Sequence, residues 1–497
     1  MTLTAGPGAV VSFDLGVLLP ALAPAAGAAA VLVADAIWPR LRRSHYVLAL
    51  VALVLGVVGT VPGLATMAGD ARQSLCLPGL PSVCLYSAGA AASALQLAAL
   101  VGAAVTLLLA WPDDASAPQG RTAVSVSLVL AATSGAAAVA AARDLGSWLV
   151  ALELATLPTV ALVALRGARS ALSGAVALLT TSLVSFALLA LAAACWYTAT
   201  ASALLTPDAA LAAAAHGPQR AILVLAVVLA FSGVGFKLSL VPFHAWTPEA
   251  YDGAPLPIAA FLAGASKVAA LAALLVVIRA ITPLGAPVLT AVAVVAALSM
   301  TLGNVMALRQ DGVVRLLAWS TVSQAGWVVL PLATVSSAAV AASSAYLLTY
   351  VVATLTAFAV VAALVHLRGA RAARSLPAYR GLLRQHPGLA IALGLALLSL
   401  AGLPPGLLGL VAKVVALRPV VASQLWLLAV VAAVNAVLGV AVYLRWLRVL
   451  LERPVEPAAA AVTRRAHPSV LVAVSLGAVT LVLTSLDPQL VLRLLGG

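Results

Sequence analysis

Long apolar runs, separated by short polar connections, repeat along almost the whole sequence. Each run has about 20 residues, which is enough for an α-helix to cross the hydrocarbon core of a bilayer. The strands of a membrane barrel would alternate polar and apolar residues, which these runs do not. The pattern predicts an all-α, polytopic membrane protein with about 14 transmembrane helices, near 15–37, 46–67, 88–111, 122–141, 146–165, 171–196, 219–246, 256–279, 287–308, 313–333, 338–366, 389–417, 422–446 and 468–486.

The order of these spans also predicts an internal repeat. Spans four to eight and spans nine to thirteen form two blocks of five spans and nearly equal length. Because five is odd, the second block enters the membrane from the opposite side, which is the inverted repeat that many transporters use. We therefore expect an N-terminal three-helix segment, two inverted five-helix repeats and a C-terminal helix, at residues 1–120, 121–280, 281–450 and 451–497.

The fourth span of each repeat combines prolines with a lysine. The first repeat has Lys237 and Pro242, and the second has Pro404-Pro405 and Lys413. Interrupted helices at matching positions of two repeats are the best sequence indication of an ion pathway. Proline is also common in membrane helices, so chance is the alternative explanation. The pattern predicts one broken helix in each repeat.

Composition supports a membrane protein and argues against a nucleic-acid partner. Hydrophobic residues make up 64% of the chain and charged residues 8%, with a mean hydropathy of +1.15. Soluble domains carry about 25% charged residues. The net charge of +13 could suit nucleic acid, but the basic residues are scattered among short loops. We therefore expect lipid, and not nucleic acid, around this chain.

The loop arginines predict the orientation. One set of alternate loops holds 18 arginines and the other set holds 6. An excess of arginine and lysine marks the loops on the cytoplasmic side. Both termini are therefore predicted on the outer side. The alanine and arginine bias is typical of a GC-rich bacterial genome, so we expect the bacterial plasma membrane.

Cofactor motifs are not found in the sequence. The three cysteines form no CxxC pair, so no iron–sulfur or zinc pattern is present. No GxGxxG segment follows a strand pattern, so nucleotide binding is not supported. We expect no cofactor and no metal site within this chain.

The three lysines of the chain, Lys237, Lys267 and Lys413, all lie inside apolar spans, while the loops use arginine. Arginine keeps its proton essentially always, whereas a desolvated lysine can release it. Each charged residue at mid-helix costs about 2.5–3.5 kcal/mol on insertion scales. A structural role explains that cost poorly, so the lysines are candidate proton carriers. Lys413 could instead extend to the membrane surface if its helix ends at Leu417, and Lys237 could lie near a helix end if Pro242 stops its span.

Glu153, His244 and His366 are the other ionisable candidates in or beside the spans. Glu153 has apolar helix on both sides, so it should be protonated or find a cation, and we predict an ion pair with Lys237. His244 follows the predicted break and could exchange protons near neutral pH, or it could simply lie at headgroup level. His366 is expected at a span end on the cytoplasmic surface.

Four segments resemble the subunit N family of NADH–quinone oxidoreductase, the respiratory complex I. They are "GFKLSLVPFHAWTPEAYDGAPLPIAAFLAGASKVAAL", "WLVALELATLPTVALVAL", "RLLAWSTVSQAGWVVLPL" and "LSLAGLPPGLLGLVAKVV". The resemblance covers roughly residues 120–450. The related Mrp antiporter subunits share the lysines and the glutamate. The segment "WTPEAYDGAP" and a lysine in span twelve favour subunit N.

The resemblance implies a proton-translocating membrane subunit of that enzyme, with neighbouring antiporter-like and other membrane subunits of complex I as partners. Glu153 and Lys237 would form a switchable pair, Lys267 the central relay, Lys413 the way to the exit, and His244 the cytoplasmic approach. NADH and a quinone, expected to be menaquinone, would be used elsewhere in the complex. The alternatives are a subunit of an Mrp-type cation/proton antiporter, and a solute transporter or purely structural subunit.

Two segments depart from the family pattern. Span six begins "ARSALSGAV", without the acid and lysine that family members often carry there. The segment after Pro405 is rich in leucine and valine, where an aromatic residue is usual. These departures affect the expected details of proton access and exit, and leave the central axis of lysines intact.

The segment "CLPGLPSVC" places Cys76 and Cys84 on either side of a Pro-Gly turn. The segment lies in a loop predicted outside the cytoplasm, where disulfides persist. We predict a disulfide, with two free thiols near a span start as the alternative.

Overall fold

The computed structural model describes residues 11–39, 42–67, 70–77, 83–112, 120–165, 167–284, 289–453 and 465–493. Three of the arginines behind the predicted orientation, Arg40, Arg166 and Arg464, lie outside the described residues, as does part of the loop between Cys76 and Cys84. The predicted 1–120 and 451–497 segments are described in part.

The N-terminal segment consists of three long helices and a short hairpin. In chain order these are α1 (Leu15–Ile37), α2 (Arg42–Leu64), β1 (Arg72–Cys76), β2 (Cys84–Ala88) and α3 (Ala90–Ala110). The carboxylate of Asp14 begins α1 by accepting the backbone N–H of Gly16 at 2.8 Å, which satisfies one of the free N–H groups of the first turn.

The part predicted as the first repeat contains nine helices within the described residues. These are α4 (Arg121–Val139), α5 (Leu145–Leu154), α6 (Leu157–Ala164), α7 (Arg169–Thr200), α8 (Pro207–Ala214), α9 (Gly217–Leu238), α10 (Trp246–Gly253), α11 (Leu256–Ala263) and α12 (Ala265–Ile281). Three predicted spans are therefore divided, into α5 with α6, α9 with α10, and α11 with α12. Only the break between α9 and α10 was predicted.

The remaining helices follow the second predicted repeat and the C-terminal span. They are α13 (Thr290–Leu308), α14 (Val313–Val329), α15 (Ser337–Arg368), α16 (Ala370–Ala373), α17 (Leu382–Gln385), α18 (Pro387–Ala401), α19 (Leu407–Ala422), α20 (Trp426–Leu451), α21 (Pro468–Leu486) and α22 (Gln489–Arg493). Short 3-10 turns occur at Thr282–Leu284, Leu330–Ala333 and Leu376–Tyr379.

The helical membrane fold is confirmed. Among the described residues, 13 helical segments are long and apolar enough to cross a membrane. The remaining predicted span, 389–417, is divided into α18 and α19, which have 15 and 16 residues and are each too short to count alone. The difference between 13 and 14 spans is therefore the second broken helix.

The core of the molecule lies around α11, α12, α14 and α15. The share of the most apolar stretch that is buried is 94% for α11–α12, 100% for α14 and 89% for α15. The corresponding share is only 33% for α2 and 28% for α21. The outer helices direct large apolar side chains outward, as expected for surfaces that face lipid. Lys267, on α12, is therefore at the centre of the bundle.

The hairpin carries the predicted disulfide. Strands β1 and β2 are antiparallel, and Cys76 is opposite Cys84 in the register. The two cysteines are bonded, with their Cα atoms 3.8 Å apart. The disulfide prediction is confirmed, whereas the strands themselves were not predicted.

The 32-residue helix α15 runs between two chemically different ends of the bundle. We call them the hairpin end, which carries β1 and β2, and the arginine end, which carries the loops around Arg374 and Arg380. At the arginine end, Arg374 pairs with Asp252 at 3.2 Å and Arg380 with Glu452 at 2.9 Å. His366 lies in the last turn of α15 at this end, as predicted. That the arginine end faces the cytoplasm remains a prediction.

Candidate functional site

The first predicted break begins directly after Lys237. Helix α9 ends at Leu238, and Ser239 adopts a left-handed conformation with φ of 68°. The backbone N–H of Leu240 donates to the carbonyl of Gly235 at 2.9 Å, which closes the helix end. Helical structure resumes only at Trp246. The carbonyl of Lys237 is thereby left available to a partner outside the helix.

Lys237 forms the predicted ion pair with Glu153. Its Nζ lies 2.9 Å from Glu153 Oε1 and donates to Thr156 Oγ1 at 2.8 Å. Helix α5 ends one residue after Glu153, and Thr156 lies in the gap before α6. Only 7% of Lys237 is exposed, so the lysine is buried although it lies at a helix end. The pair prediction is confirmed.

Lys267 binds the backbone of the same break. Its Nζ donates to the carbonyl of Lys237 at 2.8 Å and to Ser239 Oγ at 2.6 Å. The hydroxyl of Thr247 donates to Ser239 Oγ at 2.6 Å. The ammonium also lies 4.7 Å from the ring centre of Trp246, within the range of a cation–π contact. None of these partners is a carboxylate, so Lys267 is held by neutral groups.

A small polar cavity adjoins this cluster. It has a volume of about 20 Å³ and is lined by Thr156, Thr159, Thr181, Ser266 and Lys237 among others. Polar lining and this volume are sufficient for about one water molecule. The cavity is therefore a place where a proton could reach Lys237 through water.

The second break holds Lys413. Helix α18 ends at Ala401, and Gly402 is left-handed with φ of 77°. Lys413 Nζ donates to the carbonyl of Ala401 at 2.5 Å and to that of Leu400 at 3.3 Å. It lies 5.5 Å from the ring centre of Trp327 and is 6% exposed.

The expected helix end at Leu417 is wrong, because α19 continues to Ala422. Lys413 therefore lies near the middle of α19 and is directed toward the break. A lysine that donates to buried carbonyls does not extend to the membrane surface, so the alternative interpretation of Lys413 is also wrong.

A buried polar cluster adjoins the second break and was not predicted from the sequence. Gln324 Nε2 donates to Tyr443 OH at 2.9 Å and to the carbonyl of Leu400 at 3.4 Å. Tyr346 OH donates to Gln324 Oε1 at 2.6 Å, and the hydroxyls of Tyr443 and Ser320 are hydrogen-bonded to each other at 2.6 Å. The run "STVSQ" in an otherwise apolar span was the available indication, since polar groups buried in lipid must find partners.

His244 lies apart from the lysines. Its ring packs against Trp319, with 5.4 Å between ring centres, and among the described residues no hydrogen bond joins it to any of the three lysines. The structure thus brings Glu153, Lys237 and Lys267 together and places Lys413 at the other break. Within the described part of the chain, no group of three or more His, Cys, Asp or Glu residues could hold a metal ion.

Breaks that hold buried lysines, in a bundle of membrane-spanning helices, define an antiporter-like membrane protein. A family model described as the transmembrane part of NADH:quinone oxidoreductase and Mrp antiporters matches residues 142–439. NADH-quinone oxidoreductase subunit N 2 of Streptomyces griseus is 38% identical, over 98% of this chain and 94% of that protein. Subunit N of Salinispora tropica is 47% identical over 45% of each chain. The chain therefore belongs to the subunit N family of NADH-quinone oxidoreductase.

Solved structures agree with that family. A chain of respiratory complex I from Thermus thermophilus is 31% identical, with a TM-score of 0.77 over 96% of this chain and 100% of that one. A chain of the Mrp complex from a Dietzia species has a TM-score of 0.82, over 97% of this chain and 96% of that one. At 20% identity, the second likeness shows a shared fold alone.

Proposed function

We propose that this chain carries protons across the membrane as part of an NADH–quinone oxidoreductase, through Glu153, Lys237, Lys267 and Lys413. The observation that carries the proposal is the contact between Lys267 Nζ and the carbonyl of Lys237, whose own Nζ pairs with Glu153. Two ammonium groups and one carboxylate thus meet at one helix break in the buried core. Buried charged groups are energetically unfavourable in a membrane protein, and a role in proton transfer explains why this cluster is present.

The Glu153–Lys237 pair would act as the switch. The opposite charge of Glu153 favours the protonated form of Lys237. When a change in neighbouring charge separates the pair, the ammonium of Lys237 loses its partner in a medium that solvates charge poorly, and it releases its proton. The hydroxyl of Thr156 accepts from Lys237 and donates to the Leu152 carbonyl at 2.7 Å, so it would remain hydrogen-bonded when the pair separates.

Lys267 would receive and pass on the proton. Its hydrogen-bond partners are one carbonyl and one hydroxyl, which accept from the ammonium without neutralising it. Because like charges disfavour each other, a proton on Lys237 opposes one on Lys267, and its departure removes that opposition. The Ser239 hydroxyl, between Lys267 and Thr247, can both accept and donate, so it suits a relay.

The second half of the path would run toward Lys413. The cluster of Gln324, Tyr346 and Tyr443 reaches the Leu400 carbonyl that also accepts from Lys413. Hydroxyl groups can reverse the direction of their hydrogen bonds, which is what proton transfer along such a cluster requires. His244, partly buried beside Trp319, would lie on the cytoplasmic approach.

The relatives also support a proposal for the surrounding assembly. NADH and a quinone, menaquinone by our expectation, would be used by other subunits of the complex, next to which this chain would lie with its antiporter-like neighbours. The location would be the bacterial plasma membrane, with both termini outside. The Mrp antiporter alternative is less well supported, because the 38% identity over nearly full length is to a subunit N.

The decisive experiment replaces Lys267 in the assembled enzyme. Lys267→Ala should leave the complex assembled but lower NADH-driven proton uptake into vesicles by about 100-fold, the scale of a positioned proton-transfer group. Lys267→Arg should not restore uptake, because arginine holds its proton. The control Arg418→Ala, an exposed position on α19, should pump normally. Full pumping by Lys267→Ala would refute the relay, and failure to isolate the chain with NADH–quinone activity would refute the assembly.

A further inference from the structure

A large cavity at the hairpin end is not used by the proposed proton path. It has a volume of about 560 Å³, within the range of about 300–1,000 Å³ that is usual for small-molecule sites. The N-terminal segment, the connection between α4 and α5, α12 and α15 all contribute to its walls, so the cavity forms only when distant parts of the chain pack together. Two arginines, Arg143 and Arg279, are among its lining residues.

Neither arginine has an anionic partner. Among the described residues, no carboxylate lies within ion-pair distance of Arg143 or Arg279, and neither guanidinium makes a hydrogen bond there. Both guanidinium groups line one cavity, so their positive charges oppose each other. Two partly buried cations without a counter-charge are costly at a membrane surface. An anion in the cavity would remove that cost.

The start of α3 adds a second source of positive potential. Gly89, Ala90, Ala91 and Ala92 line the same cavity, and the cap residue Gly89 offers no side-chain hydrogen bond to the first turn. The backbone N–H groups of that turn are free to donate, and the helix dipole favours a negative charge there. Fixed N–H donors and two guanidinium groups thus share one cavity.

The remaining charged group in the described lining is Asp70. It makes no ion pair with either arginine, so two positive side chains face one negative side chain. An ionised carboxylate only accepts hydrogen bonds, so Asp70 would accept from hydroxyl groups of a ligand whose anionic group binds the arginines. The rest of the wall includes Val276, Val340 and several alanines, which suit hydrocarbon.

We propose that this cavity binds the phosphate group of a membrane phospholipid, with Arg143 and Arg279 as its ligands. The phosphate takes the place of the missing counter-charge, and guanidinium groups bind phosphate through paired hydrogen bonds. Headgroup hydroxyls face Asp70, and the apolar wall accommodates the adjoining acyl-chain end. The position at the end of a helical bundle, where headgroups lie, favours a lipid over free phosphate.

The test uses the purified complex that contains the whole chain, washed free of lipid. Labelled phosphatidylglycerol should bind, and Arg143→Gln and Arg279→Gln should each weaken binding by about tenfold or more, as expected for a lost charged hydrogen bond. Arg220→Gln is the matched control, because Arg220 is an exposed arginine at the start of α9 and does not line the cavity. Equal binding by all three variants would overturn the proposal.

Three measurements on the unaltered complex do not depend on the variants being stable. A galactolipid with the same acyl chains but no phosphate should fail to displace the label, and displacement would overturn the proposal. Phosphatidylglycerol with a photoreactive headgroup should label peptides around Arg143 or Arg279, and labelling confined to other regions would likewise refute it. If inorganic phosphate competes as well as the lipid, the source is free phosphate and the lipid assignment is wrong.

If either variant keeps its lipid but loses a neighbouring subunit, the arginines bind that subunit instead.

Discussion

The two helix breaks are closed in the same way but hold different charges. Ser239 and Gly402 are both left-handed, and each is followed by a leucine whose N–H donates to a carbonyl five residues earlier, Leu240 to Gly235 and Leu403 to Leu398, both at 2.9 Å. A proline stands three residues after each left-handed residue. Aligned on these features, Lys237 corresponds to Leu400.

That one difference changes the chemistry of the break. In both cases a lysine from outside the closed turn donates to the carbonyl at this position, Lys267 to Lys237 and Lys413 to Leu400. Only the first break has a second lysine there, and with it the carboxylate of Glu153. The break itself therefore provides carbonyls for a buried lysine, and the ion pair is an addition found at the first break alone.

The largest contrast that this comparison predicts is in accessibility. If the repeats are inverted, α9 starts from the outer side and α18 from the cytoplasmic side. In a Cys195→Ser background, Ala212→Cys should react fully with a membrane-impermeant maleimide added outside, and Ala372→Cys should not react. Both positions are exposed, so burial does not explain a difference. The reverse pattern would show that the arginine end faces outward.

The second prediction concerns stability. Lys237→Met should lower the free energy of unfolding by about 3 kcal/mol, because it leaves Glu153 without its partner. Lys413→Met should lower it by less, since no charge is left behind at the second break. Thermal unfolding of the full chain in detergent measures both. The double variant Glu153→Gln with Lys237→Met should recover part of the loss. Equal losses at the two breaks would show that the pair contributes little.

Parts of this comparison could be predicted from the sequence and others could not. Apolar run length predicted the spans, prolines near a lysine predicted the two breaks, and the isolated charges predicted the Glu153–Lys237 pair. The roles of Thr156 and Ser239 were not predicted, because a hydroxyl residue in an apolar span usually bonds its own helix, and only the fold shows which one faces a lysine. The end of α19 was misplaced because Arg418 and Pro419 resemble a helix stop, although the helix continues through them.

Substitution of Ser239 separates its two contributions to the first break. Ser239→Ala should lower the free energy of unfolding by about 2 kcal/mol, because Lys267 and Thr247 lose a shared partner while the left-handed backbone keeps its Cβ. Ser239→Gly removes the same hydroxyl but relieves the left-handed conformation, so its effect should be about 1 kcal/mol smaller. The comparison is made by chemical or thermal unfolding. A glycine variant that is no more stable than the alanine variant would show that the conformation carries no penalty.

The smallest effect is expected at the corresponding residue of the second break. A Cβ at Gly402 would lie 3.0 Å from Cδ and 3.2 Å from Nζ of Lys413, and φ is already 77°. Gly402→Ala should therefore lower the free energy of unfolding by about 1 kcal/mol and move the amine away from its carbonyls. Gly167→Ala is the matched control, since Gly167 also has a positive φ of 70° but nothing lies within 4 Å of its Cβ position.

If Lys413 acts through its contacts with the break, NADH-driven proton uptake should fall in Gly402→Ala and not in Gly167→Ala, although both lose similar stability. Equal uptake by the two variants would mean that the position of Lys413 at the break does not matter for transport, and the two breaks would then share a shape without sharing a role.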